Sequence, residues 1–332
     1  MANGSLTDVK TEKVCSDIVS ISLFNSVKLN EYPEFPLIMK LSNEVRFETS
    51  RGVMAGLRSE DATGPRVLCL HGWMDNAATF FPLSMRLPGL DLVALDLIGH
   101  GHSDHRHPSA NYYFMENLPD VDVALDALGW ESCHLVGHSM GGAIASLYAA
   151  AAPERVRSLV MLDALGPFNE PANKCVTRLR KALRSSRADV RRKRSYASID
   201  EMIKHRQTNT DLADEPTRMI CERSAKRVDN HYEWTNDPAL HWVSPILMTE
   251  EQALEYLAGI TVPALSLIAT PFASVISETR YHARTAAMPN GRHELLAGDH
   301  FFHINQAEKT AGIILPFILE QERNFEQHND QK

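Results

Sequence analysis

Gly137-His138-Ser139-Met140-Gly141-Gly142 lies between the apolar run Cys133-His-Leu-Val136 and a stretch of small residues that reaches Ala152. In that setting the pattern G-x-S-x-G reads as a tight strand-to-helix turn holding a serine in a strained backbone conformation, its hydroxyl above a sheet. Glycines flank the serine because a side chain there would collide with the adjoining strand and helix. The following helix aims its N-terminal dipole at the place where negative charge develops when a hydroxyl attacks a carbonyl. Glycine and serine are common, so the pentapeptide alone is weak; the strand before it and the helix after it give it weight. Ser139 is the candidate nucleophile.

Outward from the turn, short apolar runs recur at Val67-Leu-Cys-Leu70, Leu90-Asp-Leu-Val-Ala-Leu95, Leu159-Val-Met-Leu162, Val262-Pro-Ala-Leu-Ser-Leu-Ile268 and His293-Glu-Leu-Leu296. Such runs suit strands buried on both faces. Helical patterns alternate with them at 77–87, 113–128, 140–152, 278–287 and about 304–321, so a mostly parallel, doubly wound α/β sheet is expected. Ahead of these, 44–49 alternate in polarity and 52–57 follow a Ser-Arg-Gly turn, the pattern of an antiparallel hairpin. The strand–helix rhythm stops between about 164 and 260, which reads as an inserted helical cap. Residues 1–36 end in Glu31-Tyr-Pro-Glu-Phe-Pro36 and read as an appended arm, leaving 37–332 as one catalytic domain.

His71-Gly72-Trp73 closes a buried strand. There the backbone N–H of Trp73, with that of Met140, is placed to hold an oxyanion. His300, in Gly298-Asp299-His300-Phe301 after the last strand, is the candidate general base, since a neutral imidazole can take the serine proton near pH 7. His303, one helical turn on, is its rival and is expected to cap or pack. Asp96-Leu-Ile-Gly99-His-Gly101-His-Ser103 lacks the third glycine of a dinucleotide loop and reads as a loop brace. His100, His102, His105 and His107 crowd that loop without nearby Cys or Glu ligands at zinc-like spacing, so no metal is expected.

The formal charge of -8 argues against a general affinity for nucleic acid. Within the insertion, Arg178, Arg180, Lys181, Arg184, Arg187, Arg191, Arg192, Lys193 and Arg194 form a basic run. It reads as a solvated helix face in preference to a mouth that draws in anionic substrates. Five scattered cysteines without a CxxC pair fit reduced thiols. Asp8, Lys10, Glu12, Lys13 and Asp17 interrupt the first apolar stretches, so neither a signal peptide nor a membrane-inserted segment is expected, and the reading is cytoplasmic.

Taken together, HGWMDN (71–76), DLIGHGHS (96–103), GHSMGG (137–142), LDALGP (162–167) and GDH (298–300) resemble the α/β-hydrolase superfamily, and the HGWMDN wording resembles its serine hydrolase-like proteins. The resemblance covers nearly everything after Pro36. It implies the α/β-hydrolase fold and a Ser, acid, His order along the chain. The superfamily most often sets the acid after the strand that follows the cap, but that segment here, 270–277, carries no carboxylate before Glu278. Asp163, at the end of the strand 159–162, occupies the other strand terminus that some members use. It is preferred over Glu278, whose place in the first turn of a helix is already explained by the dipole. Members that cleave haloalkanes or epoxides carry Asp where Ser139 stands, which disfavours those activities. The expectation is a serine hydrolase acting without cofactor on an ester or thioester of a small acyl group. A carbon–carbon bond hydrolase and a non-catalytic ligand-binding protein of the same fold are the alternatives.

Overall fold

The computed structural model describes residues 43–60, 63–187, 193–208, 210–272, 276–288 and 290–329; the appended arm expected at 1–36 lies outside them. Strands β1 (Asn43–Thr49) and β2 (Gly52–Arg58) form the expected antiparallel hairpin. β2 pairs antiparallel with β4 (Asp91–Asp96), which lies parallel to β3 (Arg66–Leu70). From there β5 (Cys133–His138), β6 (Val156–Leu162), β9 (Ala264–Thr270) and β10 (Gly291–Ala297) continue in parallel, giving the order β1-β2-β4-β3-β5-β6-β9-β10.

The apolar runs are continuous because each strand feeds two cores. Leu68, Leu70, Leu135 and Met161 point to one face, where α2 (Asn117–Ala127) and α3 (Met140–Ala151) cover them with Val121, Leu125, Ile144 and Tyr148. Val67, Cys69, Val136, Val160 and Leu162 point to the other, against Phe80, Leu83 and the Ile314, Phe317 and Ile318 side chains of α10 (Ala307–Asn329).

Three elements depart from the reading of the sequence. The helix expected over 77–87 is a 3-10 turn, Ala77–Phe80, followed by the single turn α1 (Phe81–Ser84). The last helix is broken at Gln306 into α9 (Phe302–Asn305) and α10, and it runs on to Asn329. The insertion is not wholly helical. It holds α4 (Cys175–Arg187), α5 (Ile199–Gln207) and α6 (Asp214–Arg223), then the hairpin of β7 (Ala225–Val228) and β8 (His231–Trp234). Its last helix, α7 (Glu250–Ala258), returns to the sheet, where Leu257 joins the α3 core. α8 (Glu278–Ala287) has the bounds expected.

The cap is fastened from below. The Asp96 carboxylate, fully buried at the end of β4, accepts from Arg223 of α6 at 2.7 Å and from the backbone N–H groups of Ala77 (2.7 Å) and His102 (2.8 Å). The loop brace read from Asp96 is thus also the anchor of the cap. Asn76 donates to the Ile220 carbonyl and to Ser224, both at 2.8 Å. Arg206 of α5 donates to the Met74 carbonyl at 3.2 Å and to Asp75 at 3.1 Å.

Candidate active site

Ser139 sits at the junction of β5 and α3 with φ 51° and ψ -115°, a conformation that a residue with a side chain adopts only when its surroundings impose it. Its N–H donates to the Leu162 carbonyl at 2.9 Å and its carbonyl accepts from Ala143 N–H at 3.1 Å, so both neighbouring elements hold the bend. The glycines allow the crowding: a Cβ on Gly141 would stand 1.9 Å from the Leu70 carbonyl oxygen, and one on Gly137 2.4 Å from the Gly141 backbone. The end of β3 therefore lies directly against the start of α3.

That approach brings the 71–74 loop to the serine. A Cβ on Gly72 would meet the Ser139 Cβ at 3.4 Å and His138 Nδ1 at 3.1 Å. His71 shapes the loop from inside: its Nε2 accepts from Leu97 N–H at 3.0 Å, so Nδ1 carries the hydrogen and faces the Gly72 carbonyl at 2.7 Å. Met74, held at φ 60°, donates its N–H to His100 Nε2 at 3.3 Å. The N–H groups of Trp73 and Met140 donate to no acceptor among the described residues. Both are backbone donors at the ends of elements that converge on Ser139, and the Trp73 side chain reaches up to the cap, where its Nε1–H meets the Leu240 carbonyl at 3.3 Å.

From the far side come Asp163 and His300. Asp163, buried at the end of β6 with φ 44°, accepts from Ala269 N–H of β9 through Oδ1 at 2.9 Å. Its Oδ2 lies 2.5 Å from His300 Nδ1. A carboxylate only accepts, so Nδ1 of His300 donates and Nε2 of the neutral ring is left with its lone pair. The His300 ring stands 4.6 Å from that of His138, the residue before Ser139, and the His300 carbonyl accepts from His138 Nε2–H at 2.9 Å. The histidine loop is thus pinned to the strand that delivers the serine. Glu278 is elsewhere: its side chain, 73% exposed in the first turn of α8, lies 4.0 Å from His282.

His303 turns its Nε2 to Thr79 Oγ1 at 3.1 Å and stacks on His138 at 4.0 Å. Burial, then the neighbouring His300, pushes its pKa down from 6.5 to about 3. The rings of His138 and His303 therefore remain neutral around His300, since burial with its two histidine neighbours also takes His138 well below 6.5. The sequence offered His138 only as the variable residue of the pentapeptide; nothing in its spacing announced the bond to a carbonyl on a loop 162 residues away. No helix among the described residues is long and apolar enough to cross a membrane.

Residues 65–212 match the family described as alpha/beta hydrolase fold. The serine hydrolase-like protein of Danio rerio is 29% identical over 293 residues, covering 85% of this chain and 90% of that one. That of Mus musculus is 26% identical over 300 residues, covering 84% and 96%. The crystal structure of a hypothetical protein from Pseudomonas aeruginosa PAO1 superposes with a TM-score of 0.77 at 31% identity, over 83% of this chain and 99% of that one. With the sheet order, the serine turn and these relatives in agreement, the chain has the α/β-hydrolase fold, and serine hydrolase-like proteins are among its homologues.

Proposed function

We propose that this protein is a serine hydrolase that cleaves an ester or thioester of a small acyl substrate through an acyl-enzyme on Ser139. In this reading the Ser139 hydroxyl attacks the carbonyl carbon while His300 Nε2 takes its proton. Asp163 holds the ring in the tautomer that leaves Nε2 bare and stabilises the imidazolium that forms. The tetrahedral oxyanion is received by the N–H groups of Trp73 and Met140, each such donor being worth about 3 kcal/mol in the transition state. His300 then protonates the leaving group, and a water activated by the same ring releases the acid and restores Ser139.

The observation that carries the proposal is the 2.5 Å contact of His300 Nδ1 with Asp163 Oδ2, on a loop tied to the strand that ends at Ser139. A fluorophosphonate probe tests it. One adduct on Ser139 is expected in the intact mass of the folded protein and none on Ser139→Ala. A folded wild-type protein that takes no label at Ser139 would overturn the reading, and a panel of short p-nitrophenyl esters and acyl thioesters then sorts the substrate class.

A further inference from the structure

Helix α4 has five cations, Arg178, Arg180, Lys181, Arg184 and Arg187, and no acid, on a chain whose formal charge is -8. It touches the protein along one line only. Arg178, Ala182 and Ser185 are half-buried, through an ion pair of Arg178 with Glu170 at 2.7 Å and a hydrogen bond of Ser185 Oγ with Val243 N–H at 3.0 Å. Three residues at helical spacing, Val176, Leu179 and Leu183, point away from that line and are 53%, 48% and 58% exposed. At 100° per residue their stripe lies about 125° around the helix from the contact line. The side chains of Arg180 and Arg184, which border the stripe on one side, make no ion pair or hydrogen bond among the described residues.

An apolar stripe bordered by unpaired cations, on a helix with no buried residue over 175–186, has the make-up of a helix that lies in the plane of a membrane surface. From the exposed Val176, Leu179 and Leu183 and the unpaired Arg180 and Arg184 beside them, we infer that α4 docks the protein on a bilayer carrying anionic phospholipids. Charge selects this occupant. A second copy meeting α4 with its own α4 across a two-fold axis would set Arg180 and Arg184 against the same cations of its partner. An anionic headgroup layer satisfies the cations while its acyl boundary takes the leucines. Adsorption here requires no spanning segment.

Vesicle flotation of the full chain tests the docking without reference to catalysis. Phosphatidylcholine vesicles doped with phosphatidylserine are expected to carry the protein upward at low salt, and phosphatidylcholine alone to carry at least about tenfold less. Each cation near such a surface contributes about fivefold, so the double variant Arg180→Gln, Arg184→Gln is expected to lose about twenty-fivefold. Leu179→Ser with Leu183→Ser is expected to lose about tenfold with the charges intact. All four side chains are exposed, and unchanged melting temperatures report that the variants are folded. Equal flotation with both vesicle types, or variants that float like the wild type, would overturn the inference. So would a dimer in solution that Leu183→Ser dissociates, which gives the face to a second copy, or binding to a soluble polyanion that the leucine changes leave untouched.

Discussion

Asp163 carries two loads with its two oxygens: Oδ1 is committed to the Ala269 N–H and Oδ2 to His300. Asp163→Asn keeps the volume but presents an amide that can donate to His300 Nδ1, favouring the wrong tautomer. If the proposed mechanism holds, turnover of an activated ester falls by about 10⁴-fold, as when the acid of such a triad becomes an amide. Glu278→Gln, far from the ring, is expected to match the wild type. Steady-state kinetics of the two variants side by side checks the assignment, and a loss with Glu278→Gln in place of Asp163→Asn would reverse it. The positions of Ser139, Asp163 and His300 were legible because each sits at the carboxyl end of a strand or just past it, where the sequence is punctuated by glycine or by the end of an apolar run. His138 and Thr79 were not, since their partners are fixed by the path of a loop from the other end of the chain.

Strands were easier to read than the segments above them. Two-faced burial demands an unbroken apolar run, and such runs stand out at 67–70, 133–136 and 159–162. The β7–β8 hairpin, by contrast, pairs Ala225-Lys-Arg-Val228 with His231-Tyr-Glu-Trp234, mixed residues that cover the cap without entering the sheet core. Its one local signal is Asp229-Asn230, with Asp229 at φ 50°, a turn that suits a two-residue hairpin. The anchor of the cap was equally hidden, because Arg223 meets Asp96 across 127 residues. Burial by itself would raise the Asp96 pKa, yet Arg223 and the Ala77 and His102 N–H groups outweigh it and hold the carboxyl below 3.8. Arg223→Met removes the cation and leaves a buried carboxylate with two N–H partners. A loss of about 3 to 5 kcal/mol is expected from the urea midpoint at neutral pH, larger than for any exposed arginine of α4. Because the Asp96 pKa is depressed in the folded state, the stability it confers is complete above the unfolded value and is lost as pH falls through the folded one. The deficit of Arg223→Met relative to the wild type should therefore shrink in acid.

At the scale of the whole molecule, the interior holds an unusual number of imidazoles. His71, His100, His134, His138 and His303 are all buried, and in each burial is the largest influence and lowers the pKa from 6.5, with His100, like His303, reaching about 3. His71, His134 and His138 lie within or just past strands β3 and β5, His100 in the loop after β4 and His303 in α9. An unfolded chain takes a proton on each near its ordinary pKa while the folded protein does not. Below about pH 6.5, and for His100 and His303 down to about pH 3, the unfolded state then binds more protons, and stability declines with falling pH by up to about 1.4 kcal/mol per pH unit for each such ring. Above the unfolded value the contribution is complete, so little change is expected between pH 7 and pH 8 from this source. Urea unfolding followed from pH 7.5 to pH 5 should show a progressive loss, with the midpoint falling while the slope of the transition is kept. His303→Gln, which retains a polar partner for Thr79 but cannot titrate, is expected to be less stable at pH 7.5 yet to lose about one proton's worth less stability on acidification. A wild-type profile that stays level down to pH 5 would mean that the folded protein accommodates charged rings at these positions, against the burial that surrounds them.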